Sequence, residues 1–228
     1  ISSPGVGNYI SFAKAVARAV RDVGEQSILR RSFVQAHGTG TPQNRTTESQ
    51  IMNGVAKAFG IEDWPVAAIK CFVGHTMAAA GGDQLASTLG VFAHGILPGI
   101  TTITEVAGDV ERERLRLSPS PLRRSPNDWD ASFLNAKGFG GNNATATVVS
   151  PGVVRRWLEQ RHGGRALASW RECNEAVTEA AADWDRAMTD GTAKIVYRFD
   201  HDVRSEGHVR IEDGQICIEG LPPISLLD

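Results

Sequence analysis

A chain of 228 residues, 41% hydrophobic and 22% charged with a net charge of −2, has the make-up of an ordinary soluble domain with a sizeable core. Acidic and basic residues are interspersed and nearly balanced, which speaks against nucleic acid as a partner. No apolar run approaches the ~20 residues that span a membrane, and no stretch reads as a signal peptide. Cys71, Cys173 and Cys217 are scattered without disulfide or zinc spacing, which fits a reducing cytoplasm. The opening Ile1-Ser2-Ser3-Pro4-Gly5 lacks an initiator methionine and reads as mid-protein loop, so a fragment of a longer chain is expected.

Helix and strand alternate to about residue 150. Phe12, Val16, Ala19, Val20 and Val23 recur at helical spacing, a turn follows at Val23-Gly24, and Ser32 to Ala36 reads as a buried strand. Thr47-Glu48 then opens a helix whose apolar face is Ile51, Met52, Val55, Ala56 and Phe59, with Gly60 as its stop. Trp64-Pro65 separates it from a second strand, Val66 to Lys70. Met77 to His94, almost without charge and rich in Ala and Gly, predicts a helix buried on all sides. Ile96 to Ile103 predicts a strand that Pro98 confines to an edge or a bulge. Polar, proline-containing Thr104 to Asp130 predicts surface loops. Two further strands, Ala131 to Asn135 and Ala144 to Val149, flank the glycine-rich Lys137-Gly138-Phe139-Gly140-Gly141-Asn142-Asn143, where a phenylalanine between glycines is a candidate gate.

The last third differs in character. Leu167, Trp170, Val177, Ala181, Trp184 and Met188 form an amphipathic helical stripe that needs a partner surface. Ile195 to Phe199 alternates like a strand. Val209 to Glu212 and Gln215 to Ile218 meet across Asp213-Gly214, a hairpin turn that sets Ile211 against Ile216 and Val209 against Ile218. Residues 151–228 therefore read as a small α+β extension appended to an α/β domain over 1–150.

The chemistry concentrates at His37-Gly38-Thr39-Gly40-Thr41 and Gly74-His75-Thr76, each following a predicted strand, where α/β folds build ligand sites. Two neutral imidazoles on adjacent loops can both donate N–H hydrogen bonds to an oxygen that becomes negative, as in an enolate or oxyanion. Lys70, at a predicted strand end, and Glu48 can form an ion pair beneath the site, with the positive charge helping to keep His75 neutral. The same pair can equally be a structural salt bridge. The alcohols of Thr39 and Thr41 suit an extended polar ligand. Cys71 reads as a small buried hydrophobe rather than a nucleophile. A metal site from His37, Glu48, Cys71 and His75 lacks any standard ligand spacing, and neither glycine loop ends in the Gly-Lys-Ser/Thr of a phosphate cradle.

The motif series His37 to Thr41, Glu48, Lys70, Gly74-His75-Thr76, Ala79-Ala80-Gly81 and Gly138 to Ala144 resembles, in order and spacing, that of the β-ketoacyl-acyl carrier protein synthases of the thiolase superfamily. The resemblance covers the C-terminal half of that layered α-β-α-β-α fold, in which two βαβαβαββ halves pack through shared helices. It implies a decarboxylative Claisen condensation in fatty acid or polyketide synthesis. An acyl group on a cysteine is attacked by the carbanion formed when malonyl-acyl carrier protein loses carbon dioxide. By resemblance His37 and His75 hold the malonyl thioester oxygen, Lys70 pairs with Glu48 to support them, and Thr39 and Thr41 contact the phosphopantetheine arm beside Gly138 and Gly140. Phe139 is then the gating phenylalanine and its N–H an oxyanion-hole donor.

The nucleophilic cysteine belongs to the family's N-terminal half, and none of Cys71, Cys173 or Cys217 stands in its motif. Implied partners are therefore that N-terminal half, acyl carrier protein and malonyl and acyl thioesters, with the homodimer usual in the family. No cofactor is implied beyond the phosphopantetheine that substrates carry on carrier protein or coenzyme A. Arg45 stands where the family has aspartate and Cys71 where it has serine, which points to a divergent branch. The alternatives are a noncatalytic partner subunit that sets chain length, against which both histidines speak, and a thiolase, which would need a cysteine near Gly138 to Gly141.

Overall fold

The computed structural model describes residues 5–226 except Ile195, Arg198, Asp200 and Asp202, and of Phe139 and Glu206 the backbone only. The chain forms two compact units, Ile1–Leu167 and Ala168–Asp228.

The first unit begins with α1 (Val6–Val23), which buries Phe12, Val16 and Ala19 on one stripe and stops at Gly24, whose φ of 98° favours glycine. A short helix not foreseen from the sequence, α2 (Glu25–Arg31), adds Ile28 to the core and leads into β1 (Ser32–Gln35). Every residue of β1 is buried, as befits a strand with a parallel neighbour on each side. Next, α3 (Pro42–Phe59) starts five residues before the predicted Thr47. Thr41 caps it by accepting from the Asn44 N–H at 3.4 Å, and Pro42 takes the first turn, where no N–H is needed. Gly60 ends it as predicted.

The second strand, β2 (Trp64–Ala67), includes Trp64 and Pro65 and ends before Lys70, which instead opens the one-turn helix α4 (Lys70–Val73). A 3-10 turn over Met77–Ala79 precedes α5 (Ala80–His94). This helix is not buried on all sides: Ala80, Gln84, Thr88, Val91 and Phe92 face the core, whereas Leu85 is 40% and Leu89 52% exposed. The predicted strand at 96–103 shrinks to β3 (Ile96–Leu97), since Pro98 has no N–H to continue a ladder.

The segment assigned to loops holds β4 (Leu115–Leu117), which pairs parallel with β2, and β5 (Leu122–Arg123), which pairs antiparallel with β3. β6 (Ala131–Lys137) and β7 (Asn143–Val149) are antiparallel neighbours joined by the glycine-rich turn. Ser150 caps α6 (Pro151–His162), which buries Val153, and α7 (Gly164–Thr189) follows.

The main sheet runs β4-β2-β1-β6-β7, four strands parallel and β7 antiparallel at the edge. Successive side chains of a strand point to opposite faces, and this divides the core. Val34, Val66 and Phe133 join Phe12, Val16, Ile51 and Val55 of α1 and α3, with Trp64 tilted against Phe12 at 5.4 Å and edge-on to Phe133 at 5.6 Å. Phe33 and Ala67 join Val91 and Phe92 of α5, and Phe33 meets Trp129 edge-on at 5.1 Å.

In the second unit, β8 (Val209–Glu212) and β9 (Gln215–Ile218) form the predicted hairpin with Ile211 opposite Ile216 and Val209 opposite Ile218. Asp213 and Gly214 have φ of 49° and 71°, the left-handed pair that such a turn requires. A third strand, β10 (Ile224–Ser225), pairs with β9. The predicted strand at 195–199 lies partly outside the described residues, and its described members Val196, Tyr197 and Phe199 are not in a strand. Along α7, Trp170, Val177, Trp184 and Met188 are all half-exposed or more, so the expected stripe is present.

Candidate active site

His37 and His75 meet. His37 leaves β1 one residue after Ala36, and His75 follows α4 through Gly74, whose φ of 73° turns the chain. Their ring centroids lie 5.3 Å apart with planes at 84°. Each ring is oriented by a backbone N–H. Lys137 donates to His37 Nδ1 at 3.3 Å, and Met77 to His75 Nδ1 at 3.1 Å. A peptide N–H can only donate, so both Nδ1 atoms are acceptors and the neutral rings carry their protons on Nε2. Met77 holds a left-handed φ of 56°, a conformation costing about 1–2 kcal/mol and tolerated here where it aims a ring.

Beneath His37 lies a fully occupied carboxylate. Glu48, 2% exposed, reaches back from α3 and accepts from the N–H groups of His37 (2.8 Å) and Gly38 (2.9 Å), from Asn44 Nδ2 (2.9 Å) and from Asn135 Nδ2 (2.7 Å). Lys70 donates from the other side to the His37 carbonyl. Among the described residues Lys70 and Glu48 form no direct ion pair; they grip the His37 peptide from opposite ends. Lys70 therefore acts on His37, where the sequence pointed to His75. Burial, the Lys70 charge and, more weakly, His75 and Lys137 push the His37 imidazole down to about 4 against the opposing pull of Glu48. The ring is neutral at pH 7. Burial also lowers Lys70 and Lys137, each opposed by Glu48.

Thr39 and Thr41 share a hydroxyl hydrogen bond at 3.2 Å, Thr39 half-buried and Thr41 exposed. A cavity of about 460 Å³ is lined by Gly38, Thr39, Lys70, Cys71 and His75, with Met52, Ile103, Val106 and Leu117 as its apolar wall. Arg45 binds Asp109 through two nitrogens at 2.8–3.1 Å, pinning the loop after β3 to the first turn of α3. Burial pushes the Cys71 thiol up, the reverse of what an activated nucleophile needs. Gly138 and Gly140 lie in the β6–β7 turn, closed by Gly138 N–H to the Asn142 carbonyl at 2.8 Å, with Gly140 at a φ of 76°. Phe139 sits in that turn, and its side chain lies outside what the structure describes.

Four supporting residues were not legible as such. Asn135, 0% exposed, joins Glu48 to Asn8, and Asn44 and Lys137 extend the same network. Gln84 of α5 donates to the carbonyls of Gln35, Ala36 and Asn135, satisfying the ends of β1 and β6 beside the site. The available signal was an asparagine inside a mostly apolar strand and a glutamine inside a nearly uncharged helix.

A mixed sheet covered by helices on both faces, with ligand loops at its strand ends, is a thiolase-like half. Residues 8–104, somewhat under half of the chain, match "Beta-ketoacyl synthase, C-terminal domain". It is 46% identical over 220 residues to the β-ketoacyl-[acyl-carrier-protein] synthase FabY of Pseudomonas aeruginosa, an alignment covering 96% of this chain and 34% of that protein. The crystal structure of that noncanonical ketosynthase superposes with a TM-score of 0.87 at 44% identity, again over 96% of this chain and 34% of that one. A highly reducing polyketide synthase of Eupenicillium brefeldianum is 28% identical over 71% of this chain and 7% of its own length. The chain thus spans about a third of the FabY protein it matches. The FabY match also runs through most of residues 151–228, so this segment is shared with that relative.

Proposed function

We propose that this chain supplies the His37–His75 half of a β-ketoacyl-acyl carrier protein synthase site, and that the nucleophilic cysteine comes from an N-terminal half outside it. The observation that carries the proposal is the pair of backbone N–H groups on the two Nδ1 atoms, which leave two Nε2–H donors on adjacent rings. When the malonyl carboxylate leaves as carbon dioxide, the electrons of the broken C–C bond flow onto the thioester, and charge collects on its oxygen. Two neutral donors stabilise that enolate, each by about 3 kcal/mol. The carbanion then attacks the acyl-cysteine carbonyl of the other half, and the cysteine leaves as thiolate.

Lys70 and Glu48 hold the His37 peptide in place, and the low pKa of His37 keeps the ring from charging. Thr39 and Thr41 line the approach for phosphopantetheine, with Gly138 and Gly140 giving close backbone access. Phe139 acts as gate and oxyanion donor. The exposed apolar side of α5, with Leu85 and Leu89, is the surface that the N-terminal half covers. Acyl carrier protein delivers the substrates, the assembled enzyme is a homodimer, and its setting is the cytoplasm.

The test is His75→Ala in the complete synthase. Malonyl decarboxylation should fall at least about a hundredfold while acylation of the cysteine stays measurable. Equal loss of both steps would mean that His75 serves the structure only.

A further inference from the structure

The ring of hydrogen bonds around His37 contains a residue to which the family resemblance gives no role. Lys137 ends β6 immediately before the glycine turn and is half-buried, an unusual place for an ammonium group. Its main chain orients the His37 ring at 3.3 Å. Its Nζ donates to Asn44 Oδ1 at 3.2 Å, and the other end of that amide donates to Glu48 Oε2 at 2.9 Å. Glu48 in turn accepts the His37 N–H at 2.8 Å. The links close a circuit through β6, α3 and the loop after β1. A lysine that only decorated the surface would extend into water rather than be spent on a half-buried amide that is itself committed to Glu48.

We propose that Lys137 is a positioning residue, its side chain locking the glycine turn at 138–141 to the His37 loop through Asn44 and supplying a second positive charge beside the His37 ring. This rests on the assignment of His37 as an enolate donor. The groups facing that ring are Glu48 from α3, Lys70 from α4, His75 from the loop beyond it and Lys137 from β6. Three of the four disfavour its protonation, so losing Lys137 leaves the proton easier to bind.

The experiment compares Lys137→Met and Lys137→Arg in the complete synthase. Two readouts are the pH dependence of malonyl decarboxylation and the titration of His37 followed by NMR of labelled histidine. For Lys137→Met the His37 midpoint should rise by about half a pH unit or more, the acid limb of kcat should move up with it, and kcat should fall about tenfold. Lys137→Arg, which keeps the charge, should restore the midpoint. An unmoved midpoint in folded Lys137→Met, or an Arg variant that behaves like Met, overturns the proposal. If Lys137→Met does not fold, Lys137→Gln is read in the same way. Failure of the enolate assignment is separate: decarboxylation would then survive His37→Ala, while the NMR midpoint still decides the charge effect of Lys137.

Discussion

Replacing Glu48 by glutamine tests the anchor beneath the site. Its two oxygens divide four donors evenly: Oε1 takes the His37 N–H and Asn135, and Oε2 takes the Gly38 N–H and Asn44. Whichever way a glutamine amide is turned, its NH2 faces one backbone N–H and one asparagine NH2, so two hydrogen bonds are lost and donors are left opposed. An unsatisfied buried donor costs about 1–3 kcal/mol, and the loss of the charge weakens the remaining two bonds, so a total near 4 kcal/mol is expected. In a unit of this size that corresponds to a fall in Tm of roughly 10–15 °C. Urea unfolding of wild type and Glu48→Gln, followed by circular dichroism, measures it. Because Glu48 raises the His37 pKa, its removal should also carry the His37 midpoint below about 4, opposite to the change expected at Lys137. A Glu48→Gln protein within about 1 kcal/mol of wild type would refute the four-bond anchor.

Histidine NMR on the unsubstituted protein should place the His37 midpoint near 4, not at the ordinary 6.5. The unfolded chain binds that proton first, so stability should decline as pH falls from about 6.5 towards 4 and level off below; a midpoint near 6.5 would remove the effect. Gly95→Ala should cost about 3 kcal/mol or more, because its Cβ would lie 2.0 Å from the Arg124 carbonyl oxygen. Gly60→Ala, at an equally left-handed φ but with open space around it, should cost only about 1 kcal/mol; equal unfolding free energies would show that the close approach at Gly95 is wrong. Ending the chain after Ser150 removes Val153 (1% exposed) and Leu167 (9%) from the first unit and should cost it about 4 kcal/mol relative to ending after Leu167. Matching urea midpoints for the two truncations would sink that expectation.

Local signals carried the elements whose pattern and boundary chemistry agree. α1 has its apolar stripe and a stopping glycine, α3 its Gly60 cap, and the β8–β9 hairpin its Asp213-Gly214 turn with the register that follows. Signals failed where neighbours decide. Leu115-Arg116-Leu117 is too short to announce a strand, and becomes one because β2 offers it an unpaired edge. Met77 to His94 looked buried all round because composition cannot tell which side of a helix its own chain covers.

The site divides along the same line. Sequence alone determined that two histidines stand among glycines in the loops beyond two buried strands, with Glu48, Lys70, Thr39, Thr41 and Phe139 at family spacing, because chain order and glycine freedom are local properties; that a turn of helix, α4, separates His75 from its strand was not legible. That the rings lie 5.3 Å apart with both Nδ1 atoms taken was decided only by the tertiary structure. So was the pairing of Lys70 and Glu48 with the His37 peptide rather than with each other, and the entry of Asn44, Asn135 and Lys137 into the network. The physical reason is that hydrogen-bond partners up to 127 positions apart are chosen by parallel strand pairing and helix packing, which no local spacing records.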